Sequence, residues 1–258
     1  MNKLILLLFG ILLLGIVAFP GNANAQEKLT ANQIMERVDT RTYPVDMTAM
    51  MTMNLIDKKG KTRIQVTKTF RMSDKKQIMW FLQPANIKGS SFLRLSYDDR
   101  DDDMWIYLPA FGKVRRIASH AKSGSFMGSD FTFEDMGDRK LKNYTYDWIK
   151  EEKIEGIKCH VVESLPTEDV STDYSKIISW VRLDADLAIK EEFYDKKGNL
   201  KKIKTVKLEK MAKYWVPALM LMENLKSKHK TEMIFSEILL DTGLDEKVFK
   251  SNYMKRIH

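Results

Sequence analysis

The sequence predicts a mainly β protein, a strongly curved antiparallel sheet or partial barrel of roughly eleven strands with a few helical segments. Short runs of alternating apolar and polar residues follow one another from residue 47 to residue 238. Tight polar turns join them, the grammar of an antiparallel meander. So many strands cannot lie in one flat sheet, because strand twist accumulates and the sheet curls.

A helix comes first. Thr30 followed three residues later by Gln33 is a capping box, and Ile34, Met35 and Val38 give a short apolar face. The helix should end before Tyr43-Pro44, since the residue before proline avoids the helical region. From Met47 the period is two, with Ala49, Met51, Met53 and Leu55 alternating against Met50, Thr52 and Asn54. Asp57-Lys58-Lys59-Gly60 and Ser73-Asp74-Lys75-Lys76 are turns, with Ile64, Val66, Phe70 and Met72 between them. Residues 77–82, 92–97 and 104–108 are further strands, and 114–117 is a short strand candidate. The second half repeats the pattern at 144–149, 159–165, 177–183, 189–194, 200–210, 216–225 and 231–238. Asp195-Lys196-Lys197-Gly198-Asn199 is a hairpin turn, and Asp241-Thr242-Gly243-Leu244 starts a C-terminal helical turn. One apolar face per strand implies that one side of the sheet meets a core or a cavity. No low-complexity linker divides the chain, so residues 26–258 are expected to form one domain.

Residues 1–25 are expected to be a cleavable signal peptide. Lys3 supplies a basic start, residues 4–19 an uncharged apolar run, and Ala23-Asn24-Ala25 a small-residue cleavage site. The apolar run is shorter than the roughly 20 residues that span a bilayer. No cysteine follows the cleavage site, which argues against lipid modification, and Cys159 is the only cysteine. It cannot form an internal disulfide and is expected to be a buried strand residue. The chain carries a net charge of +8, reduced to about +7 without its first 25 residues. A basic surface suits anionic lipid head groups or nucleic acid, and export makes nucleic acid the poorer partner.

One segment breaks the pattern. After Tyr107-Leu108-Pro109 comes Val114-Arg115-Arg116-Ile117, then a small polar loop at 119–129 that carries Phe126 and Met127. A long loop with large apolar side chains acts as a lid over an apolar surface or as a plug in the core. Asp130 is placed to cap a helix through Met136, with Phe131 and Phe133 on it and Glu134 and Asp135 near its start. Together with Phe126-Met127-Gly128-Ser129-Asp130-Phe131 and Glu134-Asp135, these residues resemble the LolA-like outer-membrane lipoprotein-sorting family, in its broad, poorly characterised branch. The resemblance implies a half-open antiparallel β-barrel with helices covering its concave side. It also implies an apolar cavity for the acyl chains of lipoproteins or lipids, a periplasmic location, and an efflux-type inner-membrane transporter as partner. A monomer is expected.

The residues support a cavity from their own chemistry. The chain has 16 methionines, and Met47, Met50, Met51 and Met53 fall within one strand. Methionine is flexible and polarizable, so it adapts to irregular apolar ligands. Cavity candidates are Met51, Met53, Leu55, Phe70, Trp80, Leu82, Leu93, Leu95, Met104, Ile106 and Leu108, and Phe126, Met127, Phe131 and Phe133 are lid candidates. Aromatic and Met residues at strand spacing also simply build a core. Lys113, Arg115 and Arg116 are head-group candidates, because guanidinium groups pair with phosphate or carboxylate. Basic residues on an edge strand equally discourage aggregation.

Catalytic and metal-binding motifs are weak. The run from Asp98 to Asp103 lacks the glycine and closing glutamate of a calcium loop. His120, His160, His229 and His258 are scattered without zinc-ligand spacing. No cofactor is expected. His120, Ser125 and Asp130 are the place for a triad if one assembles across the fold. Three readings stay open: a periplasmic acyl-chain carrier, an exported lipid hydrolase using the same cavity, and a non-lipid accessory binding subunit of an envelope transporter.

Overall fold

The computed structural model describes residues 29–256, so the expected signal peptide lies outside the described residues. The capping box forms as its spacing requires. The Gln33 amide donates to Thr30 Oγ1 at 3.3 Å, and the Thr30 amide donates to Gln33 Oε1 at 2.8 Å. Helix α1 (Ala31–Thr40) follows and ends ahead of Tyr43-Pro44.

Thirteen strands follow in one antiparallel sheet. They are β1 (Asp46–Ile56), β2 (Thr62–Met72), β3 (Lys76–Gln83), β4 (Ser91–Leu95), β5 (Asp103–Leu108), β6 (Lys113–Arg116), β7 (Tyr144–Ile154), β8 (Ile157–Pro166), β9 (Tyr174–Arg182), β10 (Leu187–Asp195), β11 (Leu200–Met211), β12 (Tyr214–Asn224) and β13 (His229–Leu240). Each run read from the sequence overlaps one of these, the short run at 114–117 included, so the total exceeds the roughly eleven expected. Two turns owe their geometry to the same chemistry. Asp57 Oδ1 accepts from the Lys59 and Lys61 amides, and Asp195 Oδ1 accepts from the Lys197 and Asn199 amides. In each, a glycine takes the left-handed conformation, Gly60 at φ 82° and Gly198 at φ 80°.

The strand order is β6-β5-β4-β3-β2-β1-β13-β12-β11-β10-β9-β8-β7. β1 pairs with β13, while β6 and β7 are left as open edges. The sheet is therefore curved but not closed. Register shifts such as those at Thr48/Met50 and Lys207/Leu208 add local bend. The edges are blunted by charge: β6 has only four residues and carries Lys113, Arg115 and Arg116, and β7 carries Lys150, Glu151, Glu152 and Lys153.

Residues 117–143 connect the two edges, and they do so across the concave face. Phe92 of β4, Met104 of β5, Tyr174 of β9 and Phe193 of β10 share one buried cluster with Met51, Met53, Phe126 and Phe131. Strands so far apart in the sheet can share a cluster only on its inner side. Phe126 is fully buried and packs edge-on to Phe92 at 5.1 Å between ring centres. The expected helix from Asp130 to Met136 does not form. Asp130 is instead held by β13, its amide donating to Thr231 Oγ1 and its carboxylate accepting from that hydroxyl, both at 2.9 Å. Thr132 and Asp135 close a turn on each other. Tertiary partners thus take the side chain that would have capped a helix.

The outer side of β2–β5 is covered as well, so these strands have two apolar faces where one was expected. Phe70, Trp80 and Leu93 are buried there with Phe249 and Met254 of the C-terminal segment. Phe70 and Trp80 meet edge to face at 5.2 Å. Asp46 anchors that segment by accepting from the Thr242, Gly243 and Leu244 amides at 2.8, 2.7 and 3.0 Å and from Thr242 Oγ1 at 2.8 Å. Helical turn begins only at Glu246, capped by Asp245, later than Asp241 where it was expected. Asp241 itself accepts from the Val45 amide and the Tyr214 hydroxyl.

α1 lies over β7–β10, burying Ile34 and Met35 against Val162 and Val181. Cys159 sits on the other side of those strands with no exposed surface. Burial pushes its thiol up to about 11, so it stays neutral at ordinary pH. Native protein is expected to leave a chromogenic disulfide reagent unreacted at pH 8 and to react with one equivalent only after denaturation. Rapid reaction of the native protein would contradict this burial.

Candidate functional site

Between α1 and the crossover segment, the concave face is not filled. A cavity of about 350 Å3 lies there, within the range of about 300–1,000 Å3 typical of ligand sites. Its apolar wall includes Met47, Met51, Met79, Met136, Met220 and Met233, with Val206, Leu208, Val216 and Phe235. The strand register explains why these residues converge. Met51 lies opposite Phe235, Met53 opposite Met233, Met233 opposite Met220, and Met220 opposite Val206. Residues opposite one another across a ladder point to the same face. Arg41, Tyr43 and Pro44, just after α1, form part of the rim side, and Met136 to Arg139 of the crossover form another part.

The cavity floor also carries charge. Glu191 of β10 accepts from Arg139 of the crossover at 2.9 Å and from Ser179 at 3.2 Å, and it pairs with Lys204 of β11. Burial alone would raise its pKa, but Arg139 and Lys204 outweigh that and hold the carboxyl at about 2. Lys202 meets Asp135 at 2.5 Å, and the Tyr174 hydroxyl donates to the same carboxylate at 2.8 Å. Gln65 donates to the Met127 carbonyl at 3.0 Å. These contacts pin the crossover onto the sheet from both sides. A second, smaller and more polar cavity of about 160 Å3 lies beyond it, walled by Asp101, Asp102, Lys122, Lys140 and Tyr144.

The residues singled out from the sequence divide among several places. Met51 lines the large cavity, and Met53, Leu55 and Met104 lie in the inner cluster beside it. Phe126 and Phe131 are buried in that cluster, with Met127 and Phe133 packed on it. Phe70, Trp80, Leu93 and Leu95 are on the opposite face, under the C-terminal segment. The parity of β2, β3 and β4 sends them there: Phe70 pairs with Ile78, and Ile78 with Leu93. Leu82, Ile106 and Leu108 are half-buried and line neither cavity. Lys113, Arg115 and Arg116 stand exposed on β6 and line neither cavity. Arg116 pairs with Asp103, and Arg115 lies over the Phe111 ring at 4.8 Å.

His120, Ser125 and Asp130 form no relay. Ser125 donates to the Ser129 carbonyl at 2.6 Å, Asp130 is held by Thr231, and His120 is exposed. Four of the five aspartates of the 98–103 run pair with cations: Asp98 with Lys75, Asp101 with Lys122, Asp102 with Arg94 and Lys140, Asp103 with Arg100 and Arg116. Among the described residues, no group of three acidic, His or Cys side chains is placed to hold a metal. The residues that sequence reasoning missed are the inward charges Arg71, Arg94, Glu191, Lys202 and Lys204. Glu191, Lys202 and Lys204 left a signal, each a charge at the apolar phase of an alternating strand, whereas Arg71 and Arg94 fall on the polar phase, beside Phe70 and Met72 and beside Leu93 and Leu95.

A single curved, unclosed antiparallel sheet whose concave side is covered by an N-terminal helix and a crossover is a LolA-like fold. A family model described as an uncharacterized protein matches residues 73–256. A DUF1329 family protein from Desulfovibrio piger superposes with a TM-score of 0.82 at 30% identity, covering 87% of this chain and 97% of that one. A putative outer membrane lipoprotein-sorting protein domain from Vibrio parahaemolyticus gives 0.80 at 34% identity, covering 88% and 98%. A LolA superfamily protein from Nitrosomonas europaea gives 0.69 at 20% identity over 88% and 100%, a likeness of fold alone. No curated protein is significantly similar to the chain. The chain belongs to the LolA-like family.

Proposed function

We propose that the protein is a periplasmic carrier that holds acyl chains of lipoproteins or lipids in the concave-face cavity, for transfer to the outer membrane or to and from an inner-membrane transporter. The observation that carries the reading is the methionine-walled cavity of about 350 Å3 under α1. The kinship with a putative lipoprotein-sorting domain supports it. Methionine walls accommodate acyl chains of varied shape without one fixed geometry. Each methylene moved from water into such a wall contributes about 0.8 kcal/mol, so a buried chain of roughly fourteen carbons gains on the order of 10 kcal/mol before ordering costs. Holding cargo that strongly needs no catalytic group. The apolar start of the chain and its small-residue cleavage site fit a protein released into the periplasm, free to move between membranes.

The test is to purify the chain from residue 26 onward, extract it, and identify what it carries by mass spectrometry. Copurified acyl lipid, or saturable uptake of a fluorescent fatty acid, is expected. An empty extract together with no uptake would sink the carrier reading.

A further inference from the structure

A guanidinium in an apolar cavity needs an explanation, because taking a charge out of water costs several kcal/mol unless it is paired. Across β1–β4 one ladder row runs Met47, Arg71, Gln77, Arg94. The row beside it is Ala49, Thr69, Met79, Phe92. A polar band thus closes one end of the methionine-lined wall. Arg94 is accounted for: it pairs with Asp102 at 3.2 Å and donates to the Asp74 carbonyl at 2.7 Å. Arg71 is not. Its Nε is buried without a partner, and among the described residues no carboxylate forms an ion pair with it. It is half-buried and lines the cavity.

The neighbours do not neutralise it. Two further cations, Arg94 and Arg41, lie near it, against the single carboxylate of Asp74 and the neutral hydroxyl of Tyr43. Arg41 approaches from the segment after α1, donating to the Val38 carbonyl and stacking over Tyr43 at 4.1 Å. Of the carboxylates on this wall, Asp74 is held by Lys75 at 3.0 Å and Asp138 by Lys140 at 2.8 Å. Asp39 also reaches the wall, where burial and Asp138 push its carboxyl up. Arg71 therefore stands at one end of the cavity as a cation without a salt-bridge partner among the described residues.

We propose that Arg71, with Arg41 beside it, receives the anionic head of a single-chain amphiphile, a carboxylate or a phosphate, whose tail lies along the methionine wall. This deepens the carrier reading and rests on it for the tail. A planar guanidinium offers either anion two parallel hydrogen bonds, and a site shielded from water strengthens them. The head-group role thus falls to a residue inside the cavity, where Lys113, Arg115 and Arg116 cannot reach.

The experiment titrates delipidated protein with palmitate, palmitoyl lysophosphatidic acid, hexadecanol and inorganic phosphate, for the wild type, Arg71→Met and Arg71→Lys. At least one anionic amphiphile is expected to bind about tenfold or more tighter than hexadecanol. Arg71→Met should bring that anion to the alcohol's level and leave hexadecanol unchanged, with Arg71→Lys in between. Preference between palmitate and the lysophospholipid identifies the head as carboxylate or phosphate. Equal binding of anions and alcohol, unaltered by Arg71→Met, overturns the arginine assignment and leaves the acyl carrier standing. Arg71-dependent binding of inorganic phosphate with no binding of any acyl compound keeps the anion site and overturns the tail and the carrier. Binding of nothing overturns both.

Discussion

Glu191→Ala is expected to lower the free energy of unfolding by about 3–5 kcal/mol. The side chain is buried at 5% exposure between Arg139 and Lys204. Removing it leaves two cations facing each other with no counter-charge, and it frees the contact by which Arg139 holds the crossover to β10. Glu191→Gln keeps the volume but not the charge, so most of the loss should remain. Urea denaturation monitored by tryptophan fluorescence measures it. The pH dependence has a defined sign. The folded carboxyl is held at about 2 against an ordinary value near 4.5, so its contribution is complete above 4.5 and is lost as pH falls toward 2. Wild-type stability should decline over that window, and the decline should be shallower in Glu191→Gln. Equal stability of Glu191→Ala and wild type would mean that the crossover is not held by this cluster.

Val206→Trp is expected to weaken acyl-chain binding by at least about tenfold while changing stability by no more than about 1–3 kcal/mol. Val206 lines the cavity from β11, opposite Met220 in the ladder and one strand further from Met233. A tryptophan there projects into space that is already empty, so overpacking strain is limited. The ring then occupies the volume that a ligand tail requires. A control on the other face, Leu95→Ala, touches the cluster under the C-terminal segment and should cost stability without changing binding. The pair separates loss of the site from loss of the fold.

The alternation in β1 carried most of the legible architecture. Met47, Ala49, Met51, Met53 and Leu55 do share one side, and that side faces the concave core. What alternation within one strand does not reveal is phase between strands. Phe70 and Met51 both sit at apolar alternating positions, yet the β1–β2 register places Met51 opposite Thr67 and sends Phe70 outward. The outer cover was hidden for a related reason. Phe249 and Met254 come from a C-terminal segment with no periodicity, and its anchors are far upstream, the carboxylate of Asp46 and the hydroxyl of Ser91 among them. The Asp130 helix failed because a local capping signal lost to long-range partners, Thr231 for Asp130 and Lys202 for Asp135. Glu191, Lys202 and Lys204 were readable as anomalies, each a charge at the apolar phase of its strand, whereas Arg71, between Phe70 and Met72, falls on the polar phase and was not. The Arg139 contact to Glu191 was not readable either, because it comes from a crossover that joins the two edges of the sheet.

Calorimetric titration of palmitate into delipidated protein, run on the wild type and on Val206→Trp across several temperatures, decides whether the concave-face cavity holds an acyl chain. Saturable binding of one chain per protein is expected, with a negative heat-capacity change as apolar surface leaves water, and with its loss in Val206→Trp. No binding by the wild type, or binding that Val206→Trp leaves intact, would contradict it.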